Sequence, residues 1–234
     1  MPPFLLALIP CLGVLYYYYN RDRHPEAWGR VLFVFGAGAV SCVVAYPLER
    51  WAQEYFPAQS TFGGLLLECL LIPGLIEETV KLFVVLAVVW GRPEFDEPVD
   101  GLIYGTAAAL GFTFGEDWWY YLTHGHDWSR VLCTVAHPWF SSFWAASLGW
   151  ARAVPRAQGV GLVVLGLTAS IFVHALFDLF VLAADAQQHW AWMRHLLAPL
   201  LIVLYLVMER QLEALQEVHQ PEGPPPPSTA AASQ

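Results

Sequence analysis

The stretch GLIEETVKLF, residues 74–83, places three charged side chains inside an apolar run that extends over residues 62–90. Insertion scales put the cost of a central Asp, Lys or Arg in a bilayer helix at about 2.5–3.5 kcal/mol, so such residues are rare there unless they are functional. This stretch raises two questions about the chain. One is whether the run lies in a membrane, and the other is what keeps Glu77, Glu78 and Lys81 in it.

The composition of the chain indicates a membrane protein. Its 234 residues are 57% hydrophobic and only 13% charged, whereas soluble domains average about 25% charged residues. That leaves too little polar surface to keep a globule of this size in water. The formal net charge of −9 argues against a nucleic-acid partner, which requires a basic surface. The four cysteines lie in apolar runs without a CxxC pair, and we interpret them as buried apolar side chains.

Seven apolar runs approach the length of about 20 residues that a transmembrane helix needs. They cover residues 3–19, 29–48, 62–90, 99–122, 130–151, 159–183 and 192–209. The sequence therefore predicts an all-α, polytopic membrane bundle of about seven or eight transmembrane helices. The N-terminal run lacks a basic region and a small-residue cleavage site, so we interpret it as a retained first span.

The run 62–90 allows two topologies. It could form one helix bent at Pro73–Gly74, or two short spans that meet at Glu77–Glu78. One helix places seven arginines on the cytoplasmic side and three opposite, whereas two spans give five on each side. Because cytoplasmic loops carry an excess of Lys and Arg, we expect one bent helix and a cytoplasmic C-terminus. Residues 210–234 are expected to form a short helical extension into water on the cytoplasmic side and a disordered Pro-rich tail.

Four predicted helices bring ionisable groups into the apolar layer. These groups are Glu77, Glu78 and Lys81 in the third run, Glu116 and Asp117 in the fourth, His137 in the fifth, and His174 and Asp178 in the sixth. Glu77 and Lys81 are four residues apart and share a helix face, whereas Glu78 is turned about 100° away. We therefore expect Lys81 to neutralise one carboxylate and to leave the other free for chemistry. Asp117 lies near a span end and is expected to be solvated.

Each of these features alone also has a structural interpretation. The Glu77–Lys81 pair could be an ion pair between packed helices, and His137 could be a packing residue. The spacing of four residues lets Asp178 orient the imidazole of His174, which could equally be a plain hydrogen bond. Together, however, two histidines and a carboxylate on neighbouring helices match the three protein ligands of a catalytic zinc. A second carboxylate nearby would serve a metallo-hydrolase as general base.

Two rival functions would use the same residues. A proton- or cation-coupled transporter also needs intramembrane Glu, His and Asp groups, but it predicts inverted repeats, which the sequence does not display. A catalytically silent scaffold would bind partners through its loops. Such a scaffold would tolerate the loss of His137 or His174 without a functional defect.

Three short motifs resemble those of a known family. EETVK at 77–81 fits an EExxK motif, FTFGE at 112–116 fits FxxxE, and HALFD at 174–178 fits HxxxD. Their order, with His137 in a helix between the second and third motifs, resembles the PrsW family of intramembrane proteases. That family is a branch of the superfamily of CAAX-processing and bacteriocin-processing enzymes. The resemblance covers about residues 60–185, within a predicted protease domain of residues 1–209.

The resemblance implies a protease of the bacterial inner membrane that cuts a membrane-anchored substrate, typically an anti-sigma factor. By analogy Glu77 is the activating base and Glu78 a supporting carboxylate. The expected metal ligands or oxyanion stabilisers are Glu116, His137 and His174. We expect a zinc site, although the superfamily also includes a metal-free scheme in which glutamate and histidine activate water directly. Lys81 would then keep one carboxylate ionised, and Asp178 would fix the tautomer of His174.

Overall fold

The computed structural model describes residues 1–56 and 61–218, and within these ranges the backbone forms helices and turns but no strand. The α-helices are α1 Pro3–Tyr19, α2 Trp28–Tyr55, α3 Phe62–Cys69, α4 Leu75–Val88, α5 Pro98–His124, α6 Arg130–Ala151, α7 Arg156–Ala186 and α8 Leu197–Val218. A π-helical turn, Leu70–Gly74, joins α3 to α4, and a 3₁₀ segment, Gln188–Leu196, precedes α8. The predicted all-α bundle is confirmed.

Helix α5 lies at the centre of the bundle. Every residue from Pro98 to Phe114 is buried, and α1, α2 and α6 pack around it. Small residues allow this close packing: a Cβ atom on Gly101 would lie 2.6 Å from the backbone nitrogen of Gly149 in α6. Glu116 follows directly on the buried part of α5. It therefore lies where the central helix leaves the tightly packed core.

The run 62–90 is helical from residue 62 to residue 88. The backbone keeps right-handed helical angles from α3 through the π-helical turn into α4. The π-helical turn contains Pro73, which has no N–H to donate to the helix and whose ring crowds the preceding turn. The extra residue of a π-helical turn makes room for the proline ring. One bent helix, as expected from the arginine distribution, describes this segment.

Helices α2 and α5 run in the same direction. Tyr104 near the start of α5 donates to Glu26 just before α2, and Tyr46 contacts Trp119 near the ends of both helices. Two parallel membrane helices require an odd number of crossings between them. The segment Phe62–Val88 is the helical path between them, so the packing agrees with a single crossing there.

By length and composition, three helical segments are apolar enough to cross a membrane, namely Trp28–Tyr55, Arg156–Ala183 and Gln188–Val218, while Pro3–Tyr19 is a shorter apolar helix. Large apolar side chains face outward on them, for example Val43 at 74% exposure and Leu165 at 69%. Such surfaces suit lipid rather than water. Helices α4, α5 and α6 carry polar groups inward, among them Lys81, Asp117 and His137.

Helix α8 continues without a break past residue 209 to Val218. The helical extension predicted after residue 209 is present, but Leu212 and Leu215 are buried in the core instead of facing water. The amide of Gln216 also donates to the backbone carbonyl of Arg21. The predicted disordered tail lies outside the described residues. All four cysteines are free, and two of them, Cys11 and Cys69, are buried.

Candidate active site

Four helices bring the predicted residues into one cluster. Glu77, Glu78 and Lys81 extend from α4, Glu116 from α5, His137 from α6, and His174 with Asp178 from α7. The approach of α4 to α7 depends on Gly74, where a Cβ atom would lie 2.9 Å from the carbonyl oxygen of Ile171. One helical turn further along each helix, this approach places the glutamates of α4 beside His174.

Lys81 contacts both neighbouring carboxylates. Its Nζ lies 3.0 Å from Oε2 of Glu77 and 2.9 Å from Oε1 of Glu78, and its side chain is fully buried. The expectation that Lys81 would neutralise only one of them is therefore wrong. Glu78 and Glu77 precede Lys81 by three and four residues, so both lie beside it on the helix surface. The long lysine side chain reaches the space between the two carboxylates. The ammonium also lies 4.5 Å from the ring centre of Phe112, a cation–π distance.

Glu78 is held by four donors. Its Oε1 lies 2.9 Å from Lys81 and 3.0 Å from Nδ1 of His174. Its Oε2 accepts hydrogen bonds from Ser141 Oγ at 2.8 Å and Trp144 Nε1 at 2.9 Å. A carboxylate saturated in this way and fully buried is a positioning group rather than a base. Ser141 and Trp144 were not predicted, yet they follow His137 by four and seven residues on one face of α6.

Glu77 has one strong partner and faces two histidines. Besides the contact with Lys81, its Oε2 lies 3.8 Å from Nδ1 of His137 and 3.8 Å from Nε2 of His174. The two imidazole rings are 5.1 Å apart and nearly perpendicular. Glu77 also lines a cavity between α2 and α5. It is therefore the carboxylate of α4 that a reacting molecule can reach.

His174 has its closest polar contact with Glu78, not with Asp178. Its Nδ1 lies 3.0 Å from Glu78, whereas its Nε2 lies 3.5 Å from Oδ2 of Asp178. The carboxylate at Nδ1 favours the tautomer that carries its proton there and leaves a lone pair on Nε2. The orienting role predicted for Asp178 thus fits Glu78 better. Phe140 stacks on the imidazole ring at 4.7 Å and restricts its rotation.

Glu116 and Asp117 share an arginine that the sequence did not single out. Arg130 Nη2 lies 2.7 Å from Glu116 Oε1 and 2.6 Å from Asp117 Oδ1, and Thr134 donates to Asp117 Oδ2 at 3.0 Å. The prediction that Asp117 is solvated is wrong, because its side chain is only 1% exposed. Arg130 is the first residue of α6, and its guanidinium forms ion pairs with both acids near the end of α5. The second oxygen of Glu116 faces Nε2 of His137 at 3.4 Å.

One buried group in the described part of the chain fits a catalytic metal. Ligand atoms of Glu77, His137 and His174 all lie within 4.8 Å of one another. Two histidines and one carboxylate are a known ligand set of catalytic zinc. Each histidine also has a carboxylate at its other ring nitrogen, Glu78 for His174 and Glu116 for His137, as metal-ligating histidines usually have. Glu116, predicted as a ligand, lies outside this set and faces the far side of His137.

Comparison with known proteins identifies relatives of this chain. The sequence model of the PrsW family intramembrane metalloproteases matches residues 26–208. The chain is similar to Protease PrsW of Bacillus subtilis, with 27% identity over 216 residues that cover 91% of this chain and 94% of the relative. Protease PrsW of Geobacillus kaustophilus is 27% identical over 228 residues, which cover 95% and 96%, and that of Clostridioides difficile is 25% identical over 223 residues, 90% of each chain. No solved structure matches the chain.

Proposed function

Because the chain belongs to the PrsW family of intramembrane metalloproteases, we propose that it hydrolyses a peptide bond of a membrane-anchored regulator with Glu77 at the reacting centre. An anti-sigma factor is the substrate class that the family resemblance implies. The observation that supports the proposal most is the position of Glu77, which contacts both histidines at 3.8 Å and lines the adjoining cavity. The transporter alternative is disfavoured, since the family is one of proteases.

The proposed chemistry assigns a task to each buried group. Glu77 would take the proton of the attacking water in a metal-free site, and it would be one of three ligands of a bound metal. His137 and His174 face the same point as Glu77, and in the tautomers set by their outer partners each presents a lone pair there, so they would hold a metal or, once protonated, donate to the oxyanion. Glu78 and Glu116 hold the two imidazoles in the required orientation, since each lies at the ring nitrogen away from that point. Lys81 balances the charge of the paired glutamates of α4.

We propose zinc as the metal, held by Glu77, His137 and His174. Zinc supplies a water of lowered pKa and polarises the scissile carbonyl when it is bound. The ammonium of Lys81 already contacts two of the three donor residues, at 3.0 Å from Glu77 and 2.8 Å from His137. The ammonium and a metal would therefore compete for the lone pair on Nδ1 of His137, so zinc binding would require Lys81 to move away from this nitrogen.

We further propose that the chain lies in a bacterial cytoplasmic membrane with its C-terminus on the cytoplasmic side. The parallel packing of α2 and α5 supports the single crossing of residues 62–88, and the arginine excess then favours this orientation. A reporter domain that is active only in the cytoplasm, fused after Val218, tests the proposal. Activity of this fusion is expected, and an inactive but intact fusion would contradict it.

Cleavage of a reporter transmembrane peptide by the purified protein tests the proteolytic proposal. Wild type should cut the reporter, and His174→Ala should cut it at least about a hundredfold more slowly. His189 on the exposed 3₁₀ segment supplies the matched control, His189→Ala, which should keep wild-type activity. Equal cleavage by wild type and His174→Ala would overturn the assignment of the site.

A further inference from the structure

A cavity of about 630 Å³ lies between α2 and α5 beside the catalytic cluster. Its walls are two rows of side chains at helical spacing, Val43, Tyr46 and Glu49 on α2 and Glu116, Trp119 and Leu122 on α5. Glu77 lines the same space from α4. The cavity thus connects the reacting carboxylate with a groove whose walls are mainly apolar.

The groove opens where the glycine contacts between α2 and α5 end. A Cβ atom on Gly111 would collide with the carbonyl of Phe35, and one on Gly115 would lie 3.0 Å from the carbonyl oxygen of Ala39. Beyond these positions large side chains of both helices line the space between them. Val43 is 74% and Trp119 53% exposed on the outer, apolar side of the bundle. A chain segment can therefore enter the groove laterally from the lipid.

The groove also holds a carboxylate that the catalytic cluster does not use. Among the residues that the structure describes, three acids line it, Glu49, Glu77 and Glu116, and no Lys or Arg does. Glu77 is paired with Lys81 and Glu116 with Arg130. Within residues 1–56 and 61–218, Glu49 has no ion-pair partner, and its buried Oε1 accepts no hydrogen bond. Burying such an oxygen without a partner costs free energy. A bound molecule that donates a hydrogen bond to Glu49 would remove this cost.

We propose that the groove receives the extended segment of the substrate next to the scissile bond, and that Glu49 binds a Lys or Arg side chain of that segment, a recognition that rests on the proteolytic function above. The apolar walls fit the apolar part of a membrane-anchored chain, and the unpaired carboxylate fits a cation. From Ala39 to Glu49 the row on α2 spans about 15 Å, the length of four or five residues of extended chain. The basic side chain therefore lies within about five residues of the cut bond.

Matched reporter peptides test this recognition. Each carries Lys, Gln or Glu in turn at one of the five positions on either side of the scissile bond, and kcat/KM is measured with purified protein. At one of these positions wild type should prefer Lys over Glu by roughly tenfold, the effect of one partly buried ion pair. Glu49→Gln should reduce this preference to within about twofold. Glu49→Lys should prefer the Glu reporter.

Glu54→Gln is the matched control, since Glu54 lies on the same helix but is exposed and outside the groove. It should keep the wild-type preference. A wild type that cuts reporters without any charge preference, or a Glu49→Gln variant that keeps the preference, would overturn the role of Glu49 and leave the protease assignment intact. A wild type that cuts no reporter would contradict the proteolytic function and this recognition with it.

Discussion

The Nδ1 atom of His137 lies 2.8 Å from the ammonium of Lys81, so the imidazole presents a lone pair to the cation and its Nε2 proton to Glu116. Because the same ammonium also contacts Glu77 and Glu78, one side chain joins α4 to α6. The lysine that makes two buried carboxylates tolerable therefore also sets the tautomer of a catalytic histidine. Charge balance and histidine orientation are coupled in this site.

Removal of Glu78 should damage folding more than removal of one of its donors. Glu78→Ala removes one acceptor of Lys81 and of His174, and it removes the carboxylate oxygen that accepts from Ser141 and Trp144. This variant should lower the free energy of unfolding by about 3–5 kcal/mol. Ser141→Ala removes a single hydrogen bond and should cost about 1 kcal/mol. Thermal unfolding of detergent-purified variants measures both. Equal losses for the two variants would contradict the positioning role of Glu78.

Gly74 should be intolerant of a side chain. Gly74→Ala brings a Cβ atom to 2.9 Å from the carbonyl of Ile171 and should cost about 1–3 kcal/mol while slowing cleavage, since α4 and α7 must separate. Gly63→Ala is the control on α3, where a Cβ atom meets nothing within 4 Å. It should be neutral or slightly stabilising. Unchanged stability and activity in Gly74→Ala would contradict the close approach.

Arg130 should act through Glu116 and Asp117. Arg130→Met leaves both acids uncompensated and should lower kcat roughly 10–100-fold by releasing Glu116 from His137. Arg130→Lys should restore part of the rate, because it restores the charge but not the shared geometry. Arg156→Met, at an exposed residue, provides the control. If Arg130→Met lowered stability but left kcat unchanged, Arg130 would be structural only.

The metal content of the purified protein should follow the proposed ligand set. Elemental analysis should find zinc in wild type, and little in His137→Ala or His174→Ala. Glu116→Gln should weaken zinc binding roughly 10–100-fold without abolishing it, because Glu116 orients His137 instead of holding the ion. Wild type without metal, or full zinc content in both histidine variants, would contradict the set Glu77, His137 and His174.

The membrane bundle and most of the site could be predicted from the sequence for one reason. A bilayer excludes isolated charges, so buried Glu, His and Lys residues on separate helices have to meet one another. The pairs Glu77–Lys81 and His174–Asp178 also follow from helical spacing alone. Their convergence with His137 is what the structure confirms.

The partners that cross between helices could not be predicted. Ser141 and Trp144 are ordinary residues of an apolar helix until Glu78 is placed opposite them. Arg130 lies at a span end in the sequence, where solvation is the simplest expectation, and only the turn between α5 and α6 directs it to Asp117. Glu49 likewise lies near a span end, and its burial depends on the groove formed with α5.

Glu77→Gln provides the most direct test of the central claim, that Glu77 is required to activate water for peptide hydrolysis, either as the base or as a ligand of the metal. The measurement is cleavage of a reporter transmembrane peptide in ¹⁸O-labelled water, with the product analysed by mass spectrometry and Glu213→Gln, at an exposed residue of α8, as the control. Wild type and control should release product with one ¹⁸O in the new carboxyl group, and Glu77→Gln should be slower by roughly 10²–10⁴-fold. Product formed by Glu77→Gln at the wild-type rate would contradict the account.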